Sequence, residues 1–286
     1  MMKIAYLTDS SISINSDDKF LNNEDVFFIP LHIIIDDVDY LDDGKYDREQ
    51  LIQDVFKAKK ASTSQPSPGE VKILLDDIKA KGFDVLVCAC LGSGLSGTQN
   101  VIYSVAIESK LTIVNLDSRG AGPMQVAALK MFKKELATGL SLSDVQAKVQ
   151  HMLDVSNCYA LVDNLNYLQK GGRISLASAK FGTLLKIKPL VMCNKEMNGR
   201  VVPYDKVRTR SKALIRLVET SFKDIDEDSE YDVAIGEFDA KEDSKILKNI
   251  INEMHPNVKV EIMDLCFAIG VHTGPNTLVL FTIRKI

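Results

Sequence analysis

Two segments of the chain combine hydroxyl side chains with a helix start, and both could hold an anion without a metal ion. One runs Ala61-Ser62-Thr63-Ser64-Gln65-Pro66-Ser67-Pro68-Gly69-Glu70, and the other runs Gly92-Ser93-Gly94-Leu95-Ser96-Gly97-Thr98. Hydroxyl groups and free backbone N–H groups at the start of a helix donate hydrogen bonds to a carboxylate or a phosphate. These residue types therefore predict an anion site to which both segments contribute.

The second half of the first segment is explained by the start of a helix. Ser67 is a good N-cap, Pro68 suits the first helical position, and Glu70 completes a capping box. The cap leaves Ser62 to Gln65 without a role, and we interpret these residues as a loop of uncharged donors. The alternative is an ordinary polar loop in front of a helix.

The glycines of the second segment also fit a different function. Gly92 to Gly97 has the pattern G-x-G-x-x-G after a predicted strand, and Asp117 lies 20 residues beyond Gly97. That spacing is typical of a dinucleotide site in which the acid holds a ribose hydroxyl. The alternative function is therefore an NAD(P)-dependent oxidoreductase. It is disfavoured because the motif does not follow the first strand and gives no role to the hydroxyls of Ser62 to Ser64.

Composition excludes several other classes of protein. The chain has 286 residues, 45% of them hydrophobic and 26% charged, and a net charge of −4, which disfavours binding to nucleic acid or to anionic membranes. The first strand is interrupted too early by Asp9 for a signal peptide, so we expect a cytoplasmic protein without stable membrane insertion.

The cysteines match no metal-binding spacing and are expected to be small buried hydrophobes: Cys88, Cys90, Cys158, Cys193 and Cys266.

The elements that must position these loops differ between the two halves of the chain. Residues 1–155 alternate predicted strands and helices, which indicates an α/β domain with a mostly parallel sheet. Ligands of such sheets bind beyond the carboxyl ends of the strands, where Thr8-Asp9-Ser10, Gly92 to Thr98 and Asp117-Ser118 all fall. Residues 156–286 combine short strands with a few long helices, which indicates an α+β domain with a mostly antiparallel sheet. Asn198-Gly199 predicts a hairpin within it.

Several motifs together carry a resemblance to a known family. In chain order they are Thr8-Asp9-Ser10-Ser11, Ser62-Thr63-Ser64-Gln65-Pro66-Ser67-Pro68, Ser93-Gly94-Leu95-Ser96-Gly97-Thr98, Asp117-Ser118, Gly171-Gly172-Arg173-Ile174-Ser175, Leu185-Lys186-Ile187-Lys188-Pro189 and His272-Thr273-Gly274-Pro275. This ordered set resembles the DegV family, bacterial fatty-acid-binding proteins that serve as the lipid-carrying subunit of fatty acid kinase. Gly92 and Asn276 depart from the serine and the glycine that are common there.

The resemblance implies a two-domain carrier with one long-chain fatty acid buried within or between the domains. It implies no catalytic residue, no metal and no cofactor, since the fatty acid is the ligand. The kinase catalytic subunit would phosphorylate the presented carboxylate, and an acyl-phosphate-using acyltransferase is a further possible partner. The residues that would bind the carboxylate are Thr63, Ser93, Gly94, His272 and Thr273.

A second group of residues is expected to support this site: Ser62, Ser64, Ser96, Asp9 and Arg173. Asp9 would orient the hydroxyl loops through hydrogen bonds, although it could also be an ordinary carboxylate at the start of a loop. Arg173 would lie at the pocket rim, contact a partner, or pair with a surface acid. His272 could equally be a loop histidine whose hydrogen bonds are satisfied within the protein.

Overall fold

The structure is a computed structural model, and it describes residues 2–12, 19–174, 187–223, 225 and 229–286. The strands of this part of the chain are β1 (Ile4–Asp9), β2 (Val26–Ile29), β3 (His32–Ile35), β4 (Val38–Leu41), β5 (Ala61–Ser64), β6 (Val85–Cys88), β7 (Thr112–Asn115), β8 (Asn157–Leu161), β9 (Lys188–Cys193), β10 (Val202–Val207), β11 (Tyr231–Phe238), β12 (Val260–Asp264) and β13 (Thr277–Arg284). The helices are α1 (Arg48–Lys57), α2 (Pro68–Ala80), α3 (Thr98–Glu108), α4 (Pro123–Leu136), α5 (Leu142–Asp154), α6 (Asn166–Lys170), α7 (Arg210–Ser221), α8 (Lys241–Met254) and α9 (Phe267–Thr273). Ser175, Leu185 and Lys186, which belong to the motifs above, lie outside the described residues.

The first half of the chain builds a parallel sheet of four strands in the order β2-β1-β6-β7. Every residue of β6 is buried, as expected for a central strand covered on both faces. Helices α2 and α3 pack on one face, and α4 and α5 pack on the other. The predicted α/β fold class of this half is confirmed.

A small antiparallel sheet in the order β4-β3-β5 corrects the prediction for the first hydroxyl segment. Residues 61–64, of which we expected Ser62 to Ser64 in a loop, form strand β5, in which Thr63 pairs with Ile33. The sequence of β5 lacks the apolar alternation that marks a strand, and the strand forms because β3 offers an open edge. Asp36 and Asp37, both at positive φ, form the two-residue turn from β3 to β4.

The capping box of α2 forms as predicted. The Ser67 hydroxyl accepts a hydrogen bond from the backbone N–H of Glu70 at 3.3 Å, and the Glu70 carboxylate accepts one from the N–H of Ser67 at 2.8 Å. Pro68 occupies the first turn, where its missing N–H costs nothing. The helix start therefore accounts for the end of the hydroxyl segment and fixes the direction in which β5 leaves the small sheet.

The second half of the chain forms a sheet of six strands in the order β10-β9-β8-β13-β11-β12. All neighbours are antiparallel except β11 and β12, so the predicted fold class is confirmed here as well. The hairpin from β9 to β10 contains Asn198 and Gly199 at positive φ, although its loop spans residues 194–201 rather than a two-residue turn. Helices α7 and α8 cover one face of this sheet, and the other face turns towards the first half.

Candidate functional site

An apolar cavity lies between the two halves of the chain. The space between its walls, including the open mouth, has a volume of about 860 Å³. The six-stranded sheet forms its floor through alternate residues of three neighbouring strands, which share one face because side chains of a strand alternate. These floor residues are Cys158, Ala160, Val191, Cys193, Val279 and Phe281.

The first half of the chain supplies the opposite wall. Leu31, Leu91, Leu95 and Ala121 line this side, and all but Leu95 are buried in a cluster that also contains Cys266 and Ala268. None of these side chains carries a charge or an oxygen atom. The body of the cavity is therefore suited to an apolar group rather than to a sugar or a nucleotide.

Polar side chains gather where β5, α6 and α9 approach one another. Those that line the cavity are Thr63, Ser64, Gln65, Ser96, Arg173, His272 and Thr273. Six of these positions belong to the predicted set, and Gln65 was recognised only as part of the hydroxyl segment. We call this group the polar end of the cavity.

Thr63 and His272 meet at this polar end across the two halves of the chain. Thr63 Oγ1 and His272 Nε2 lie 2.6 Å apart. Burial and, to a smaller extent, the positive charge of Arg173 together lower the pKa of His272 to about 4. The imidazole is therefore neutral at pH 7, and it contributes a hydrogen bond rather than a charge.

The protonation of the His272 ring decides what Thr63 can offer a ligand. His272 Nδ1 is buried and has no hydrogen-bond partner among the described residues. A bare lone pair there costs less than an orphaned N–H group, so we assign the proton to Nε2. In this tautomer the ring donates to Thr63 Oγ1, and the Thr63 hydroxyl keeps its own proton free to donate to a ligand.

Arg173 brings a permanent positive charge to the polar end. Its Nη1 donates to the carbonyl of Gly171 at 2.6 Å, and its Nε donates to the carbonyl of Leu95 at 3.3 Å. Burial lowers the pKa of the guanidinium, which nevertheless stays protonated because an arginine in a protein does not titrate in the physiological range. No carboxylate in the described part of the chain forms an ion pair with Arg173. Within the described residues its charge could therefore attract an anionic ligand.

Ser93 and Gly94 do not line the cavity. The exposed Ser93 donates from Oγ to Asp117 Oδ2 at 2.6 Å and from its backbone N–H to Asp117 Oδ1 at 3.1 Å. A Cβ on Gly94 would collide with the backbone of Gly199 and Arg200, so the glycine permits close approach of the β9–β10 loop. These contacts hold the loop of residues 92–97 in place. Ser96 of this loop lines the cavity.

The same contacts weigh against a dinucleotide at Asp117. Its carboxylate accepts hydrogen bonds from Ser93 and also from Arg119 Nη1 at 2.7 Å. A ribose hydroxyl would have to displace these donors. The loop after β9 also lies against Gly94, where the pyrophosphate of a dinucleotide would have to approach the backbone.

Ser96 and Thr273 reach the cavity with hydroxyls that already make local bonds. Ser96 Oγ accepts a hydrogen bond from the N–H of Thr98 at 3.2 Å, at the start of α3. Thr273 Oγ1 donates to the carbonyl of Ile269 at 3.1 Å, within α9. Thr273 is therefore less free to donate to a ligand than Thr63 is, whereas Ser96 Oγ lies 2.8 Å from Thr98 Oγ1 and either hydroxyl of that pair can donate.

Asp9 and Ser62 lie away from the cavity lining. Asp9 is fully buried, and its Oδ2 accepts a hydrogen bond from the N–H of Leu91 at 2.8 Å. Burial is the main cause that raises the pKa of this carboxyl. Because Leu91 is a wall residue, Asp9 supports the cavity by holding the backbone of that wall. Ser62 lies in β5 opposite Ile34.

Sequence reasoning missed the apolar part of the site. Cys158 and Cys193, which face each other across β8 and β9, were interpreted as core residues, and they are free, buried and part of the cavity floor. Alternation at Cys158 and Ala160 was the available signal for a shared face. Nothing in the sequence distinguishes a face that lines a cavity from one that packs against a helix.

The described residues contain neither a cluster of metal-ligating side chains nor a membrane-spanning helix. No group of three or more His, Cys, Asp and Glu side chains in that part of the chain could hold a metal ion. Among the helices it contains, none combines the length and the hydropathy needed to cross a membrane.

Comparison with known proteins identifies clear relatives. A family model described as "Uncharacterised protein, DegV family" matches residues 3–285. A DegV domain-containing protein of Streptococcus pyogenes serotype M3 is 30% identical over 279 residues, which is 97% of each chain. The crystal structure of a fatty acid binding DegV family protein from Streptococcus agalactiae is 30% identical and covers 100% of both chains with a TM-score of 0.90. That of DegV, a fatty acid binding protein from Bacillus subtilis, is 27% identical over 100% of both chains, with a TM-score of 0.85.

Proposed function

The chain belongs to the DegV family, and from this premise we propose that it binds one long-chain fatty acid. The acyl chain occupies the apolar cavity, and the carboxylate lies at the polar end. The observation that carries the proposal is that an apolar cavity ends at the Thr63–His272 pair and at Arg173, which has no ion pair with the described residues. Two solved relatives that are described as fatty acid binding proteins support the same class of ligand.

The apolar cavity accounts for most of the affinity that we expect. About fourteen methylene groups, each worth ~0.8 kcal/mol when buried, contribute roughly 11 kcal/mol before the costs of ordering the chain. The floor residues Val279 and Phe281 and the wall residues Leu31 and Leu91 supply the apolar surface. Chain length and unsaturation would then be selected by the shape of the far end of the cavity.

We propose that the carboxylate is held by Thr63 and Arg173, with His272 orienting the Thr63 hydroxyl. A charge-assisted hydrogen bond is stronger than a neutral one, so one free hydroxyl and one guanidinium form an effective carboxylate site. Ser96 and Thr273 line the same end and would complete the surroundings of the carboxylate. Ser93 and Gly94 would act indirectly, by fixing the loop that bears Leu95 and Ser96.

Both halves of the chain would contribute residues to the proposed site. Residues 1–155 supply Thr63 and the hydroxyl loops, and residues 156–286 supply the floor of the cavity. The second half would also contribute His272 and Arg173 to the carboxylate site, so neither half would form the site alone.

We further propose that the chain is a cytoplasmic carrier without catalysis of its own, which presents the carboxylate to a separate kinase. Neutral donors and one arginine leave the carboxylate oxygens chemically available. A fatty acid kinase catalytic subunit would form the acyl phosphate with ATP, and an acyltransferase could then consume it. Trapping with hydroxylamine should give an acyl hydroxamate only when loaded chain, kinase and ATP are combined.

A titration of delipidated protein tests the binding proposal. We expect saturable binding of hexadecanoic acid at one site, and at least tenfold weaker binding of methyl hexadecanoate, which has the same chain without the charge. Equal binding of acid and ester would remove the carboxylate site from the proposal. If neither binds, the proposed function is wrong.

The dinucleotide alternative is tested in the same preparation with NADH and NADPH. We expect no saturable change in nicotinamide fluorescence, since Asp117 is already bonded to Ser93 and Arg119. A saturable blue shift or quenching would favour the oxidoreductase instead.

A further inference from the structure

Asp42, directly after β4, is a buried carboxylate for which the site described above has no role. Only 3% of Asp42 is exposed. Its Oδ2 accepts a hydrogen bond from the N–H of Ala268 at 3.0 Å, and the N–H of Phe267 and the thiol of Cys266 also favour its charged form. Asp42 and the N-cap Cys266, whose sulfur accepts from the N–H of Ile269, therefore together satisfy the N–H groups at the start of α9.

The backbone of Asp42 is tied to the opposite wall of the cavity. Its N–H donates to the carbonyl of Leu31 at 2.8 Å, and the N–H of Leu31 donates to Ser10 Oγ at 2.9 Å. A continuous path of hydrogen bonds therefore runs from the loop after β1, through Leu31 and Asp42, to α9. It joins the wall supplied by the first half of the chain to the helix that carries His272.

Arg48 holds the segment in front of α9 from the same side. Its Nη1 donates to the carbonyl of Leu265 at 2.9 Å, and its Nη2 donates to the carbonyl of Glu237 at 3.4 Å. Arg48 Nε also lies 3.5 Å from Asp264 Oδ2. Asp42 therefore accepts a hydrogen bond from the first turn of α9, and Arg48 donates to the carbonyl of Leu265 just before that helix.

Keeping a carboxylate buried at this position carries a cost. Burial raises the pKa of Asp42 to about 6, and the negative charge of Asp9 raises it in the same direction. The charged and titratable groups around it are Asp9 from the end of β1, Cys266 at the start of α9, and Arg48 from α1, with Glu237 and Asp264 beyond Arg48. A costly group with a defined set of contacts is typical of a functional site rather than of a core optimised for stability.

The contacts of Asp42 fix the position of α9. That helix is only Phe267–Thr273, and four of its residues line the cavity: Ala268, Ile269, His272 and Thr273. A helix of this length has little stability of its own and takes its position from its contacts. The distance between His272 and Thr63 therefore depends on how firmly the first turn of α9 is held.

We propose that Asp42 is a positioning residue for the polar end of the cavity, where it holds α9 so that His272 stays buried against Thr63. The part of this statement that concerns ligand affinity rests on the proposed function. The part that concerns His272 does not, because burial and hydrogen bonding of the ring are properties of the protein without ligand.

The test is Asp42→Asn, with Asp43→Asn as the matched control. Asparagine has nearly the same shape, but it removes the charge and turns an NH₂ group towards N–H donors. Asp43 is the neighbouring acid, and its carboxylate accepts hydrogen bonds from Lys45 in its own loop. The pKa of His272 is measured by NMR of the imidazole ring in the ligand-free protein, and hexadecanoic acid affinity is measured by titration.

We expect Asp42→Asn to raise the pKa of His272 from about 4 towards its ordinary value, because a loosened α9 admits water to the ring. Affinity for hexadecanoic acid should fall at least tenfold, and Asp43→Asn should change neither quantity. A folded Asp42→Asn protein with an unchanged pKa at His272 would overturn the proposal. If the unmodified protein binds no fatty acid, the proposed function fails while the pKa of His272 still decides the role of Asp42.

A second measurement needs no variant and covers the case in which Asp42→Asn fails to fold. In the unmodified protein, the amide proton of Ala268 and the ring of His272 should shift together near pH 6, as Asp42 takes up a proton. The amide proton of Ala240 reports Glu237 separately, because it donates to that carboxylate at 2.8 Å and the pKa of Glu237 is raised to about 7. A His272 ring that does not respond to the step seen at Ala268 would contradict the proposal.

Discussion

Thr63 and His272 come from opposite halves of the chain, and the bond between them defines the polar end of the cavity. Because His272 is neutral and donates to Thr63, the hydroxyl of Thr63 is oriented before any ligand arrives. Such preorganisation lowers the cost of binding. Arg173 adds a charge that no carboxylate of the described residues neutralises. Under the proposed function, one oriented hydroxyl and one guanidinium would therefore account for recognition of a carboxylate.

Thr63→Val removes the hydroxyl while keeping the shape of the side chain. A hydrogen bond to a charged group contributes about 1.5–3 kcal/mol, so affinity for hexadecanoic acid should fall by roughly 10- to 100-fold. Calorimetric titration of delipidated protein measures the change. Ser62→Ala is the control, since Ser62 precedes Thr63 in β5 and does not line the cavity. Equal affinities for wild type and Thr63→Val would place the carboxylate elsewhere.

The buried imidazole of His272 also makes a prediction about acid stability. Its pKa is about 4 in the folded chain and near the ordinary value of 6.5 when unfolded, so the unfolded chain binds a proton that the folded chain excludes. The stability from this group is complete above pH 6.5 and is lost as pH falls towards 4. Between pH 7 and 4.5 the free energy of unfolding should fall by about 2–3 kcal/mol more in wild type than in His272→Gln.

Urea unfolding of the two ligand-free proteins at both pH values measures this difference. Comparison with the variant cancels the opposite contributions of Asp9, Asp42 and Glu237, whose pKa values are raised by burial. The same pH dependence in both proteins would mean that His272 is not buried as described.

At the scale of elements, two glycines let α6 and α9 pack closely enough to bury His272. A Cβ on Gly171, at the end of α6, would collide with the His272 ring, and a Cβ on Gly274, at the end of α9, would collide with Tyr167 of α6. Gly274 also has a φ of 80°, whereas Gly171 has an ordinary helical backbone. An alanine at position 171 is therefore excluded by the His272 ring and not by backbone strain.

Gly171→Ala should displace the ring of His272 from Thr63 and weaken fatty acid binding at least tenfold. Gly69→Ala is the control, because its Cβ would find only the Ser67 hydroxyl at 3.9 Å within the first turn of α2. Titration with hexadecanoic acid and the NMR signals of the His272 ring report the two effects. Unaltered His272 signals in Gly171→Ala would show that the helices separate without disturbing the site.

Elements with a strong local pattern could be predicted from the sequence, and those that depend on a partner could not. The α2 start follows from Ser67, Pro68 and Glu70, whose capping contacts all form. Strand β5 was missed because its serines and threonine show no apolar period, and only the edge of β3 makes it a strand. The prediction that Ser93 binds the ligand follows from the loop it lies in, whereas the structure shows its hydroxyl donating to Asp117. The direction of a side chain in a loop is set by contacts that the sequence does not display.

At the scale of the whole molecule, the cavity is a gap between two layers that would otherwise close on each other. One core cluster already joins the halves, since it contains Tyr6 and Leu116 from the first and Phe238 and Phe281 from the second. A fatty acid in the cavity would extend this core along the sheet floor. We therefore expect the acyl chain to act as part of the core of the loaded protein.

Native mass spectrometry of the chain purified without added lipid, followed by organic extraction, tests the proposed fatty acid binding most directly. We predict one bound long-chain fatty acid per chain, seen as an added mass that disappears on extraction and is recovered as the free acid. Delipidated protein should regain the same mass when hexadecanoic acid is supplied. An empty chain that also fails to bind the added acid would contradict the proposed function.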